Sequence, residues 1–353
     1  MVLQGGRLSR LNREIRSFEE LKQERFYGLE NLGASGWGNC VIQALYFCPL
    51  FRERLLLYYT QQQQQQQQQG HGEIQTENLL ILLAHLFQKI SHKRLKVGII
   101  APVKFFSKLR EQNELFDYRI PQDAHEFLDY LLDDANTSIQ QNRSESDVNE
   151  TWIEQLFQGT LAKETRCQQC EMITSKEEKY LTLTLDLEED TSILNSVAMF
   201  CREELLSGLW KWYCSDCGGL QEARQRFVFK KLPPLMVLHL RRFKYDETID
   251  GFIKLNFKVD FPFEFEATSF SESAENANKV YQLMAVVVHI GRTCHRGELI
   301  TVAQSHGHWF RFCDEIVEKI HASDIETYFG SSAANTVPET AYVLFYQAKN
   351  KLE

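Results

Sequence analysis

The chain has 353 residues and a mass of 41.3 kDa, room for one large domain or two to three ordinary ones. Hydrophobic residues make up 43% and charged residues 25%, the balance of a folded globular protein. With 39 Lys+Arg against 48 Asp+Glu, the net charge of -9 argues against holding nucleic acid by bulk electrostatics, because a phosphate backbone is repelled on average. The longest strongly apolar run, Met284 to Ile290, is too short to cross a bilayer, so no membrane partner is expected. The first residues, MVLQGGRLSRLNREIRSFEELKQERF, are polar and contain no apolar signal core. The expected location is therefore cytoplasmic, nuclear or both. Nine cysteines are present, and four of them fall in two CxxC pairs, a spacing that reads as metal ligation rather than disulfides in a reducing compartment.

Residues 1–25 mix Arg, Glu and Leu and predict a short helix or tail, an extension before the main domain. A glycine-dense turn, GLENLGASGWG, covers Gly28 to Gly38, and Asn39 to Tyr59 then carries Val41, Ile42, Leu45, Tyr46 and Phe51 at helical spacing, with Asn39 as a plausible N-cap. The glutamine tract Gln61–Gln69 has no apolar face and predicts a solvated loop. Helical patterning resumes over Asn78–Lys93, Lys104–Glu114 and Ala124–Ala135, and Ile139–Asn149 reads as a polar loop. After Trp152 the pattern changes to short alternating or β-branched runs. These are Phe157–Lys163, Lys179–Leu187, Arg226–Phe229, Met236–Arg242, Leu283–His289, Glu298–Gln304, Trp309–Phe312 and Ala341–Gln347. A helical first third and a β-rich remainder predict an α+β architecture.

RCQQC supplies Cys167 and Cys170, and YCSDC supplies Cys214 and Cys217. Each CxxC places two thiolates on one tight turn, and two such turns make a tetrahedral Cys₄ site for structural Zn²⁺. The segment 171–213 between them is long enough to require strands of its own. Its acidic stretch CEMITSKEEKYLTLTLDLEED lacks the basic face of a nucleic-acid-binding ribbon.

Six further strings resemble one family. GLENLGASGWGNCVIQALYFCPLFRERLL is similar to the cysteine box of ubiquitin-specific proteases, and PQDAHEFLDYLL (121–132) to their glutamine–aspartate box. FQGTLAKETRCQQC (157–170), LHLRRFKY (238–245) and VVVHIGRTCHRGELITVAQSHGHWFRFCDEIVEKI (286–320), closing with AYVLFYQ (341–347), follow in family order. Within the family the chain looks most like the small members activated by WD-repeat propeller proteins. The resemblance implies a papain-like hand over residues 26–349: a helical thumb (about 26–150, with the glutamine loop at 61–69), β-sheet fingers carrying the zinc ribbon (about 160–232), and a β-sheet palm (about 233–349). It also implies ubiquitin as partner, with its C-terminal tail threaded between thumb and palm.

Cleavage by a thiol needs a Cys at a helix N-terminus, a His within hydrogen-bond reach, a carboxylate or amide to orient that His, and an oxyanion donor. The family's Asn-Thr-Cys-Tyr is here Ala34, Ser35, Gly36, Trp37, so the nucleophile position is Gly36 and the oxyanion-donor position is Ala34. The family's Gly-His-Tyr is Gly297, Glu298, Leu299, and the orienting acid position is Cys313, with Asp314 following. All four positions are substituted. The resemblance therefore implies a catalytically dead member that binds ubiquitin or ubiquitinated proteins, with a WD-repeat propeller as a second partner. The alternative is an active hydrolase with a relocated nucleophile, Cys40, one helical turn beyond Gly36, helped by His295, His306 or His308. Ser35 is a weaker candidate nucleophile. Tail contacts are expected from Asp123, Glu126 and Glu298, although Asp123 and Glu126 also read as charges favoured at a helix N-terminus.

Overall fold

The apolar run Met284–Ile290 lies in the middle strand of the largest sheet, and its unbroken hydrophobicity follows from burial on both faces. The computed structural model describes residues 10–21, 23–68, 78–142, 149–294, 296–331 and 337–350. A helical segment over residues 10–16 leads to β1 (Phe26–Leu29), α1 (Gly36–Tyr46), α2 (Pro49–Gln68), α3 (Leu79–Ser91), β2 (Val97–Ile100), α4 (Val103–Gln112), α5 (Ala124–Gln141) and α6 (Trp152–Phe157). There follow β3 (Gly159–Cys167), β4 (Ile173–Tyr180), β5 (Leu183–Leu185), α7 (Ile193–Phe200), β6 (Glu204–Leu206), β7 (Trp212–Cys214), β8 (Gly219–Gln221) and β9 (Ala223–Lys231). The last third holds β10 (Leu235–Leu240), β11 (Phe243–Asp246), β12 (Gly251–Lys254), β13 (Lys279–Thr293), β14 (Arg296–Ser305), β15 (His308–Cys313), β16 (Ile316–Ile320) and β17 (Glu339–Asn350).

The large sheet runs β16-β15-β14-β13-β17-β10-β5 and separates two cores. Side chains alternate across a strand, so Ala285 and Val287 of β13 and Val343 and Phe345 of β17 face the helices. Val286, Val288, Leu344 and Tyr346 fill the opposite core with α7. A second sheet, β4-β3-β9-β6, projects from this body and ends in the small hairpin β7–β8. Helical lobe, large sheet and projecting sheet are the thumb, palm and fingers of the expected α+β hand. The interval 171–213 does contain its own elements, β4, β5, α7 and β6.

Several local expectations are corrected. The span Asn39–Tyr59 is two helices, broken at Phe47–Cys48, and α1 starts three residues earlier than Asn39, with Ser35 as N-cap. Asn39 is instead buried inside α1. The glutamine tract is not a loop up to Gln68: it extends α2 by two turns, while Gln69 lies outside the described residues. Glutamine is a good helix former, and the preceding turns, anchored by Phe51 and Leu55, have already met the cost of nucleation. The polar stretch 139–149 begins helical, because α5 runs to Gln141. Two short helices, α6 and α7, replace what the pattern read as strand or connection. Thr151 caps α6 through a reciprocal box with Glu154.

The N-terminal extension is packed onto the domain from residue 10. Leu11, Ile15 and Leu21 belong to the thumb-side core, and the Glu24 carboxylate takes two hydrogen bonds from Arg52, at 2.9 and 3.1 Å. His308 meets Glu20 at 3.0 Å and packs on Phe18. His306 bonds Ser305 in the same β14–β15 turn, and His295 lies outside the described residues.

Candidate functional site

Three segments distant in sequence converge between thumb and palm: the N-terminus of α1, the start of β14 and the turn after β15. They enclose a cleft of about 720 Å³ whose wall includes Gly36, Gln122, Glu298, Cys313 and Asp314. The hairpin β11–β12 overhangs it with Phe243 and Phe252. That hairpin is held at its base by the buried Arg242, whose guanidinium donates to the carbonyls of Ala341, Leu255, Phe257 and Phe329. Trp37 anchors α1 by packing against Phe106, Phe116 and Phe127 and by donating Nε1–H to the Ile120 carbonyl.

The positions that the resemblance assigns to a catalytic set are brought together. Glu298 Oε2 and Cys313 Sγ lie 3.9 Å apart, as a base and its orienting group must. A Cβ built on Gly36 would sit 3.7 and 3.8 Å from the two Asp314 carboxylate oxygens, ordinary contact distances. The Asp314 carboxylate therefore borders the space that a side chain at position 36 would enter. Asn39 Nδ2 donates to its Oδ1 at 2.8 Å and Asn31 Nδ2 to its Oδ2 at 2.7 Å. The Asn31 amide cannot turn over, because its Oδ1 accepts from the N–H groups of Gly33 and Ser35. The Asp314 carbonyl takes the Leu29 N–H, pinning this turn to β1. That approach requires Gly28, since a Cβ there would come within 2.5 Å of the Glu315 carbonyl oxygen. Burial raises the Asp314 carboxyl above its usual range, against the opposing pull of the two amides.

Ala34 lines the cleft with no side-chain donor and contributes only its N–H, to the Tyr118 carbonyl. Ser35 is fully buried, and its hydroxyl accepts from the Leu32 N–H. Cys40 does not reach the cleft. It is 3% exposed within the core, donates Sγ–H to the Trp37 carbonyl at 3.0 Å, and is pushed well above the ordinary thiol range by burial and then by Asp314. Cys40 lies on the same side of α1 as Gly36 but one turn deeper, where the packing of thumb against palm closes over it. Cys294 and Cys313 are the thiols among the described cleft-lining residues, and burial followed by the Glu298 charge raises Cys313. Replacing Cys40 by Ala is expected to destabilise the fold by about 1 kcal/mol while leaving every cleft property unchanged, as checked by denaturant melting beside ligand titration.

Of the three expected tail contacts, Glu298 faces the cleft. Asp123 also borders it, but its carboxylate is committed: Oδ1 caps α5 by accepting from the N–H groups of His125 and Glu126, and Oδ2 accepts from the Tyr342 hydroxyl. Asp123 is therefore a structural cap as much as a wall of the site. Glu126 is exposed in the first turn of α5 and is not part of the cleft wall. Asp314 was the residue that sequence reasoning undervalued. The adjacency of Cys313 and Asp314 in the motif was visible, but not that Asp314 would turn towards Gly36.

At the far end of the fingers, Cys167, Cys170, Cys214 and Cys217 place their Sγ atoms within 4.8 Å of one another. Cys170–Cys214 and Cys167–Cys217 are 3.5 and 4.0 Å apart. A tetrahedral ion with Zn–S bonds of about 2.3 Å requires sulfur separations of about 3.8 Å, so the donor set and spacing fit Zn²⁺. Amide N–H groups of Cys170 and Gln169 draw the Cys167 thiol down to about 7.

A helical lobe facing a twisted sheet, with a cleft between them and a cysteine-tipped sheet projecting, is the ubiquitin-specific-protease architecture. Residues 27–346 match the family described as ubiquitin carboxyl-terminal hydrolase, and the chain belongs to that family. It is 41% identical over 98% of its length to ubiquitin carboxyl-terminal hydrolase 12 of Salmo salar, covering 96% of that protein. It is 36% identical over 97% of its length to ubiquitin carboxyl-terminal hydrolase 46 of Caenorhabditis elegans, covering 94% of it. Among solved structures, the SAGA Ubp8/Sgf11/Sus1/Sgf73 DUB module bound to ubiquitin aldehyde shares the fold, with a TM-score of 0.75 at 21% identity over 95% of this chain and 72% of the matched one. Among the described residues no helix is long and apolar enough to cross a membrane.

Proposed function

We propose that the chain binds the C-terminal tail of ubiquitin, free or conjugated, in the cleft between thumb and palm, and holds it without cleaving it. The observation that carries this reading is the preserved convergence of Gly36, Glu298 and Cys313 around an open cleft, combined with side chains at those positions that cannot form a thiolate–imidazole pair. Loss of a nucleophile alone costs about a millionfold in turnover in a well-studied protease. Glu298 supplies a carboxylate for a cationic side chain of the tail.

Hydrolysis is the second reading, favoured by the names of the relatives. With Cys40 buried, it would have to use Cys313 or Cys294. A ubiquitin carrying a C-terminal electrophile separates the two. Holding without cleavage predicts no covalent adduct, and an adduct mapped to either cleft thiol gives the site to hydrolysis. Direct titration of the full chain with labelled ubiquitin tests the binding itself; affinity weaker than about 1 mM counts against a tail site of any kind.

A WD-repeat propeller as a second partner is supported by the exposed apolar side chains on the fingers. Leu205, Leu209, Trp210, Tyr213 and Leu220 are all more than half exposed, with Leu209 at 99%. We assign the protein to the cytoplasm or nucleus, where a reducing environment keeps CxxC thiols available for metal ligation.

A further inference from the structure

We infer that the cleft selects tails whose C-terminus is amide-linked, as in a ubiquitin conjugate, over tails ending in a free carboxylate, and that Asp314 is the residue that decides this. The inference rests on the tail-binding reading above and adds the chemical form of the ligand.

With Gly36 lacking a side chain, the position beside the N-terminus of α1 is bordered by the Asp314 carboxylate. Its orientation is fixed from three sides. Asn31 and Asn39 each direct an amide N–H at it, and the Leu29 N–H holds the Asp314 carbonyl. Two N–H donors from neutral amides suit the ionised carboxylate, and the positive φ of 47° at Asp314 turns it inward from the turn after β15. Glu298 stands on the same wall, and Glu315, adjacent in sequence, accepts from the Asn31 N–H.

A free tail carboxylate at this place would meet the Asp314 charge. Two like charges at about 4 Å in an effective dielectric near 20 lose roughly three orders of magnitude in affinity before screening. The N-terminal end of α1 favours an anion by a factor of only about two to five, and Asp314 already occupies part of that field. An amide-linked tail brings no net charge there, and its N–H gives Asp314 a donor. Solvent reaches the open cleft and screens the repulsion, so the measured preference is expected to be at least tenfold.

The test is a titration of the full chain with three forms of ubiquitin at 0.15 M and 1 M salt: free carboxylate, C-terminal carboxamide, and isopeptide-linked to the ε-amine of a lysine in a short peptide. The carboxamide removes the charge without adding contacts beyond the tail. We expect the carboxamide and isopeptide forms to bind at least tenfold more tightly than free ubiquitin, with a smaller gap at 1 M salt. In Asp314→Gly, which accepts the same positive φ, the gap should vanish or invert, because the Asn31 and Asn39 donors are released. Asp314→Asn, which keeps the shape, should level it if the glycine variant melts early. Equal binding of free and carboxamide forms by the wild type overturns the selection while leaving the tail-binding reading standing. A preference that survives in both folded variants removes Asp314 as its cause. No binding of any form overturns both.

Discussion

Restoring a thiol at Gly36 alone is expected to leave ubiquitin hydrolysis near background, whereas Ala34→Asn, Gly36→Cys, Glu298→His and Cys313→Asp together should raise turnover by at least about a thousandfold over the single variant. The space exists: a Cβ at position 36 meets only ordinary contacts, at 3.7 to 4.0 Å, and the φ there is not positive. Removing glycine from the first turn of α1 should also cost nothing in stability, with a gain of up to about 1 kcal/mol. The single variant fails for an electrostatic reason. Its sulfur would stand beside the Asp314 carboxylate with Glu298 on the same wall, and neighbouring negative charge raises a thiol pKa, opposing the helix dipole. Replacing Glu298 by His removes one of those charges and supplies the base, worth about 10²–10⁴, and Cys313→Asp orients it across the present 3.9 Å gap. An oxyanion donor at position 34 adds about 10²–10³. Steady-state cleavage of a fluorogenic ubiquitin amide measures this series. A folded fourfold variant with no turnover and no probe labelling would mean that the cleft does not receive the tail.

Removing the metal should have the second large effect, and a local one. The hairpin β7–β8 consists of two three-residue strands, and Leu209, Trp210, Tyr213 and Leu220 around it face solvent. A two-stranded hairpin of this size has no apolar core to hold it and is marginal at best in water. A zinc ion joining the thiolates of Cys167 and Cys170 to those of Cys214 and Cys217 would supply what packing does not. Zinc binding in finger peptides is worth about 10–16 kcal/mol, enough to account for the order of the whole tip. One zinc equivalent per chain is expected. Chelation, or Cys167→Ser with Cys170→Ser, should abolish hydrogen-exchange protection over residues 208–222. The palm strands β13, β14 and β17, buried on both faces over Leu283–His289, Ile300–Ala303 and Ala341–Tyr346, should remain protected there. A metal-free protein with that tip still protected would dismiss the assignment.

The parts of this structure that were legible in the sequence are those set by short-range spacing. CxxC brings two sulfurs to one turn regardless of what lies elsewhere, so the four-cysteine cluster was readable. The β-branched run Val286–Val288 marked a strand, and the order of the boxes marked the hand. The glutamine tract misled because a polar composition says what a segment cannot bury, not whether a helix already running can continue through it. The short helix expected within residues 1–25 is present over 10–16, but that Leu11, Ile15 and Leu21 are all buried depends on the surface they pack against.

By itself, then, the sequence determined the family and four cysteines at metal-ligand spacing, and it put Ala34, Gly36, Glu298 and Cys313 where the resemblance expects a catalytic set. Tertiary structure alone decided what occupies their place. Asn39 reaches Asp314 across 275 residues and Asn31 reaches it across 283, while Asp123 is tied to Tyr342 across 219. Packing one turn below Gly36, on the same face of α1, buried Cys40. Such pairings depend on how thumb and palm close on each other, and hydrogen-bond partners that far apart leave no periodicity in the chain to announce them.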